Sequence, residues 1–251
     1  MVSEKENRSA WEVAEKYLRL EVGEQQIATP YFTNEVGRIF GRMLKNGGIK
    51  DEEIRRLFVP YNNMEYGYGW YRGKGSPEEL SAAVIKMAEK DGIDTSTFTG
   101  DGARDYMILN GLGVDCSGFA YNVLVRTLGT KEVNGVLSWK GEEQNAYKAG
   151  AFTFAAGASE EVDFGEIRPL DLLLFRKPDG GRYYHIAVVL NRDGWKVVQS
   201  TSTAHPMGVN VSGIAIDAGK PSFEFTPTYG KDWNQLYTEG RIELRRLKAV
   251  K

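Results

Sequence analysis

"GVDCSGFAYNVL", Gly113–Leu124, contains the only cysteine in a chain of 251 residues. Asp115 has the short polar side chain of a helix N-cap, Cys116 follows as the first helical residue, and Gly129 supplies a C-terminal stop. Within that helix Cys116, Phe119, Ala120, Val123, Leu124 and Thr127 recur at helical spacing, so the face carrying the sulfur is the face that packs on the rest of the fold. A thiol at this place sits among backbone N–H groups without intrahelical acceptors, at the positive end of the macrodipole. That setting favours thiolate and offers donors to an oxyanion. An ionised Asp115 opposes the shift, so a second positive partner would help. A lone cysteine is more often a small buried hydrophobe, and the rest of the chain decides between the two readings.

Downstream of this helix the period changes. "DLLLFR", "YYHIAVVLN", "WKVVQSTS", "VNVSGIAID" and "RIELRRLK" are short, rich in branched and aromatic residues, and separated by Gly, Pro, Asn or Asp, as strands are. Upstream, "SAWEVAEKYLRLEV" opens with Ser9 and Glu12 at capping-box spacing, and "SPEELSAAVIKMAEKDG" repeats the signal at Ser76 and Glu79 with Pro77 between. Shorter helices fit "TNEVGRIFGRMLKNGG" and "DEEIRRLF", and the Gly- and Tyr-rich "YNNMEYGYGWYRGKGS" reads as an ordered loop. Helices followed by a run of strands give an α+β fold with an antiparallel sheet of about five or six strands. The terminal "RIELRRLKAVK" alternates as an edge strand does, with its basic residues in solvent.

The chain has two histidines, His185 and His205. His185 opens "HIAVVL", and Arg192-Asp193-Gly194 suits a three-residue hairpin loop with glycine in the left-handed position. That register pairs Asn191 with Trp195 and Ala187 with Gln199, which puts His185, Ala187 and Gln199 on one face; a two-residue Asp-Gly turn would put Ser200 there instead. Gln199 is then diagonal to His185 and near enough to orient its ring. Cys116, His185 and Gln199 together supply nucleophile, base and orienter. His205, beside Pro206, is a loop residue in reserve. One cysteine and two histidines cannot supply a closed zinc site, so no metal or other cofactor is expected.

"DCSGF", then "RPLDLLLF", "HIAVVL" and "VVQS" resemble the NlpC/P60 cysteine peptidases, papain-like hydrolases of bacterial cell walls. The likeness spans about residues 113 to 201, with "YGYGWYRGKG" a weaker counterpart of the family's Tyr-x-x-Gly-Gly segment. It implies a papain-like fold in which residues 61–251 form the catalytic domain, with a helical insertion at about 76–110 and an N-terminal helical extension over residues 1–60. It also implies attack by Cys116, proton handling by His185 and ring orientation by Gln199, where the family commonly has histidine. Asp115 and Ser117 would contact substrate, including gripping a free amine, although Asp115 serves equally well as a plain helix cap. Tyr68, or in competition Tyr71, would stand near the oxyanion. The implied substrate is a peptidoglycan stem peptide, cut between D-glutamate and a diamino acid. The chain departs from the family where Pro169-Leu170-Asp171 replaces Pro-Gly-Asp, and in the roughly forty residues between the tyrosine loop and "DCSGF". Alternatives are a papain-like amidase or acyltransferase with another substrate, and a noncatalytic wall-binding module.

Composition narrows the partners. Hydrophobic residues make up 41%, enough for a real core. Lys and Arg total 32 against 34 Asp and Glu, without a long run of either sign, so no nucleic-acid footprint is present. No segment approaches the roughly 18 apolar residues of a membrane span. The N-terminal "MVSEKENRSAWEV" has no apolar run of a leader, so the chain as written is expected in the cytoplasm, or at the cell envelope if a leader has been removed. Oligomeric state has no signature in these residues.

Overall fold

The computed structural model describes residues 2–32, 73–139, 146–155 and 157–250. The helices expected at 33–48 and 51–58, and Tyr68 and Tyr71, lie outside the described residues. In chain order the elements are α1 (Glu4–Leu18), β1 (Leu20–Val22), β2 (Gln25–Ile27), α2 (Pro77–Lys90), α3 (Gly100–Leu109), α4 (Cys116–Leu128), α5 (Thr130–Val136), β3 (Ser159–Glu161), β4 (Leu172–Arg176), β5 (Tyr183–Asn191), β6 (Trp195–Thr201), β7 (Gly208–Asp217), β8 (Lys220–Phe223), α6 (Trp233–Thr238) and β9 (Ile242–Leu247). The fold is α+β. Its main sheet is antiparallel and has seven strands, in the order β3-β9-β4-β5-β6-β7-β8, and β1 pairs with β2 separately.

The local signals act where the chain places them. Ser76 and Glu79 close a capping box with Pro77 in the first turn of α2, Asp115 caps α4 by accepting from Gly118 N, and Gly129 ends α4 at φ 102°. α1 begins earlier than Ser9 and Glu12 suggest. Its capping box is Ser3 with Glu6, which adds a full turn before Ser9. The hairpin loop is the three-residue one: Asn191 pairs with Trp195, and Asp193 and Gly194 both take positive φ.

The sheet is buried on both faces, which is why "LLLF" and "HIAVVL" run apolar without alternation. Leu172, Leu174, Ile186, Val188 and Val198 face a core shared with α1, α2, α3 and α4. Leu173, Phe175, Ala187, Val189 and Val197 face a second core with Ile214, Phe223, Trp233 and Leu236. α4 is not a one-sided helix: every residue from Cys116 to Val125 is buried, because α1 covers the side turned away from the sheet. Tyr17 of α1 meets Phe119 of α4 edge-on at 5.3 Å. α1 thus contributes to the same core as the helix that bears the thiol.

β9 corrects the edge-strand expectation. It lies between β3 and β4, and all six of its residues are buried. Arg246 makes two bonds, of 2.8 and 2.9 Å, to the fully buried Asp171, and Arg245 bonds Glu243 and Ser159. Paired arginines can occupy the interior because their charge and donors are matched. Leu170, at the position before Asp171, is buried at φ 70°, and its N–H donates to Val189 O. Replacing Arg246 with alanine leaves Asp171 without its counter-charge; the expected loss is about 3–5 kcal/mol of stability, read from urea unfolding midpoints.

Candidate functional site

β5 and β6 are paired from Asn191/Trp195 to Val188/Val198, and the described ladder between them ends there. The segment entering α4 is held by both strands beyond this point. Ser200 Oγ on β6 donates to Val114 O at 2.6 Å, and the Ile186 N–H on β5 is near enough to the Cys116 sulfur to favour its charged form. The helix start therefore sits where the two strands part, with the sulfur near Ile186, the residue that follows His185 in β5.

Backbone straps fix that start. Val114 pairs with Tyr31 on one side and Lys74 on the other. Asp115 N–H donates to Gly73 O at 2.8 Å, and Asn122 Nδ2 donates to Lys74 O at 3.0 Å. Gly118 has no side chain because the strap leaves no room for one: a Cβ there would collide with Gly73 O and the Lys74 backbone.

His185 is buried, with Phe175 and Trp233 at 5.0 and 6.4 Å between ring centroids. Its Nε2 is 2.6 Å from Gln199 Oε1. Gln199 Nε2 in turn donates to Asn210 Oδ1 at 3.3 Å, and Asn210 Nδ2 donates to Gly208 O at 3.0 Å. The backbone carbonyl at the end of this chain sets each amide in sequence. Gln199 presents its oxygen to the ring, so Nε2 carries the proton and Nδ1 keeps the lone pair. Asn210, directly across the ladder from Gln199, escaped the sequence reading. Its only signal in the sequence is a polar side chain within the strand "VNVSGIAID".

The electrostatics differ from the sequence expectation of a favoured thiolate. Burial, reinforced by the charge of Asp115, pushes the Cys116 thiol up to about 12, against the opposing pull of Lys74 and the N–H groups of Ile186 and Ser117. Burial lowers His185 to about 4, with the Gln199 bond resisting. At neutral pH both groups are uncharged.

The positive partner that Asp115 calls for is Lys74. Its Nζ lies 2.7 and 2.6 Å from the two Asp115 oxygens and 2.5 Å from Ser117 Oγ, with a side chain only 7% exposed. Nothing in "GKGS" distinguishes this lysine from a solvated loop charge. Tyr31 is the described tyrosine beside the thiol. Its phenol is held well above its ordinary range by burial first and then by the nearness of Cys116 and Asp115, so it stays a proton donor. Tyr31, His185, Trp233, Tyr184 and Tyr229 line one cleft of about 350 Å³. His205 lies exposed in the turn between β6 and β7, outside that lining. Among the described residues no group of three or more His, Cys, Asp or Glu side chains is placed to hold a metal ion, and no helix is long and apolar enough to cross a membrane.

Compared with known proteins, the chain matches no family model, and no curated protein aligns with it significantly.

The depressed His185 carries a stability signature. An unfolded imidazole titrates near 6.5, whereas the folded one stays neutral to about 4. The unfolded chain therefore binds the proton first, and stability falls as pH drops through this window. Between pH 7 and 5 the expected contribution is about 2 kcal/mol. Unfolding free energies of wild type and His185→Gln from urea titrations should diverge by that amount over this range, with the wild type the more pH-sensitive.

Proposed function

We propose that this protein is a cysteine hydrolase of amide bonds, working through a thioester acyl-enzyme on peptidoglycan stem peptides. The observation that carries the chemistry is the His185–Gln199 pair beside a helix-start thiol, next to one open cleft. The choice of substrate comes from the resemblance of "DCSGF" and "HIAVVL" to the NlpC/P60 enzymes, and with it the bond between D-glutamate and a diamino acid.

The resting pair is neutral thiol and neutral imidazole, so the nucleophile is made as it attacks. As the Cys116 sulfur bonds to the carbonyl carbon, its proton passes to Nδ1 of His185, the ring nitrogen that Gln199 leaves free. Negative charge moves onto the carbonyl oxygen, where the Tyr31 hydroxyl and the N–H groups at the start of α4 are the donors at hand. The imidazolium then gives its proton to the leaving nitrogen, and the C–N bond breaks. Water, deprotonated by the same ring, adds to the thioester and releases the acid and the thiol. Gln199 cannot take a proton in this cycle; it holds the tautomer.

Cys116 is the sole thiol, so Cys116→Ala should keep the fold and release no new amines from defined muropeptides, as read by mass spectrometry; undiminished release would overturn the reading. His185→Ala should lower kcat by about 10²–10⁴-fold. Gln199→Ala should cut kcat with little change in KM and move the acid limb of the pH profile, because the ring loses its fixed tautomer.

A further inference from the structure

The Lys74 ammonium has three hydrogens, and three acceptors surround it: Asp115 Oδ1 at 2.7 Å, Asp115 Oδ2 at 2.6 Å and Ser117 Oγ at 2.5 Å. Asp115 Oδ1 also accepts from Gly118 N at 2.7 Å, and the hydroxyl hydrogen of Ser117 has Asp115 Oδ1 and Ala149 O as acceptors, each at 3.0 Å. The carboxylate and hydroxyl that flank the thiol, and that could hold a substrate amine, are already engaged by a cation of the chain itself. This occupancy is built in. The Lys74 backbone is pinned by Asn122 and by pairing with Val114, and its stem lies against Gly118, where a Cβ would come within 3.0 Å of Lys74 Cδ.

We propose that Lys74 is a resident ammonium that fills the amine-binding position beside Cys116, so the enzyme accepts acyl groups that bear no free amine. The chain then reads as cutting within peptides, or releasing an N-capped acyl group, rather than trimming from a free N-terminus. This substrate consequence rests on the hydrolase reading above. The occupancy itself does not.

Two measurements test it. The first compares kcat/KM of the wild type for two stem peptides identical except that the first amine is free or acetylated. The expected values agree within about threefold, and a preference of about tenfold or more for the free amine would overturn the proposal. The second uses no activity. Thermal unfolding is followed in ethylammonium chloride and in sodium chloride at equal ionic strength. Lys74→Ala vacates the position for a small alkylammonium and should gain about 2–4 °C in the ethylammonium salt, while the wild type gains nothing. Equal gains in both proteins, or none in the variant, would overturn the occupancy. Should Lys74→Ala not fold, Lys74→Met keeps most of the stem and is tested with ammonium chloride, with the same two outcomes. If neither peptide is cut while the salt-specific gain appears in the variant alone, the hydrolase reading fails and the occupancy stands.

Discussion

The placement of one helix start between two parting strands organises this molecule. β5 and β6 run together only as far as Val188 and Val198, and the entry into α4 lies beyond, tied to β6 through Ser200 with its sulfur near Ile186 of β5. Everything needed near the sulfur follows from that placement. His185 precedes Ile186 along one strand, Gln199 lies on the other, and the straps carrying Tyr31 and Lys74 pair with Val114 just before the thiol.

The same burial that fixes the geometry works against charge. A helix macrodipole contributes at most ~2 kcal/mol in favourable, partly buried settings, and desolvation of a deeply buried thiolate exceeds it. The dipole and Lys74 moderate the cost without reversing it. A neutral pair is the natural resting state of such an interior, since separated charges would each need a compensating partner that the packing around His185, built of Phe175 and Trp233, does not supply. In the proposed reaction, catalysis from this state depends on moving proton and electron density together, which places the demand on alignment and hence on the amide chain from Gln199 to Gly208.

Much of the architecture was legible because its determinants are local. Capping at Ser76 and Asp115, the stop at Gly129 and the loop Arg192–Gly194 are each encoded within a few residues, and the register from that loop places Gln199 near His185. What escaped depends on partners distant in sequence. "RIELRRLK" looks like a solvated edge because its arginines give no sign of Asp171, 75 residues away. Lys74 becomes an interior group only when Asp115 and Ser117 are brought to it, and Tyr31 reaches the thiol only through pairing with Val114. Buried charge is the part of a fold that periodicity misreads most readily, because the period records polarity while burial is decided by the partner.

The far end of the β5–β6 hairpin is latched by α1. Asn7 exchanges hydrogen bonds with the backbone of Asn191 in both directions, at 2.7 and 3.1 Å, and Trp11 Nε1 adds a third at 3.2 Å. These contacts close across 184 residues of chain. During synthesis, α1 must wait until the chain has been made past Asn191 before it meets the turn it secures. Until then the hairpin that aligns imidazole and amide lacks these three bonds at its distal end, so a nascent chain carries its thiol well before the imidazole beside it is secured.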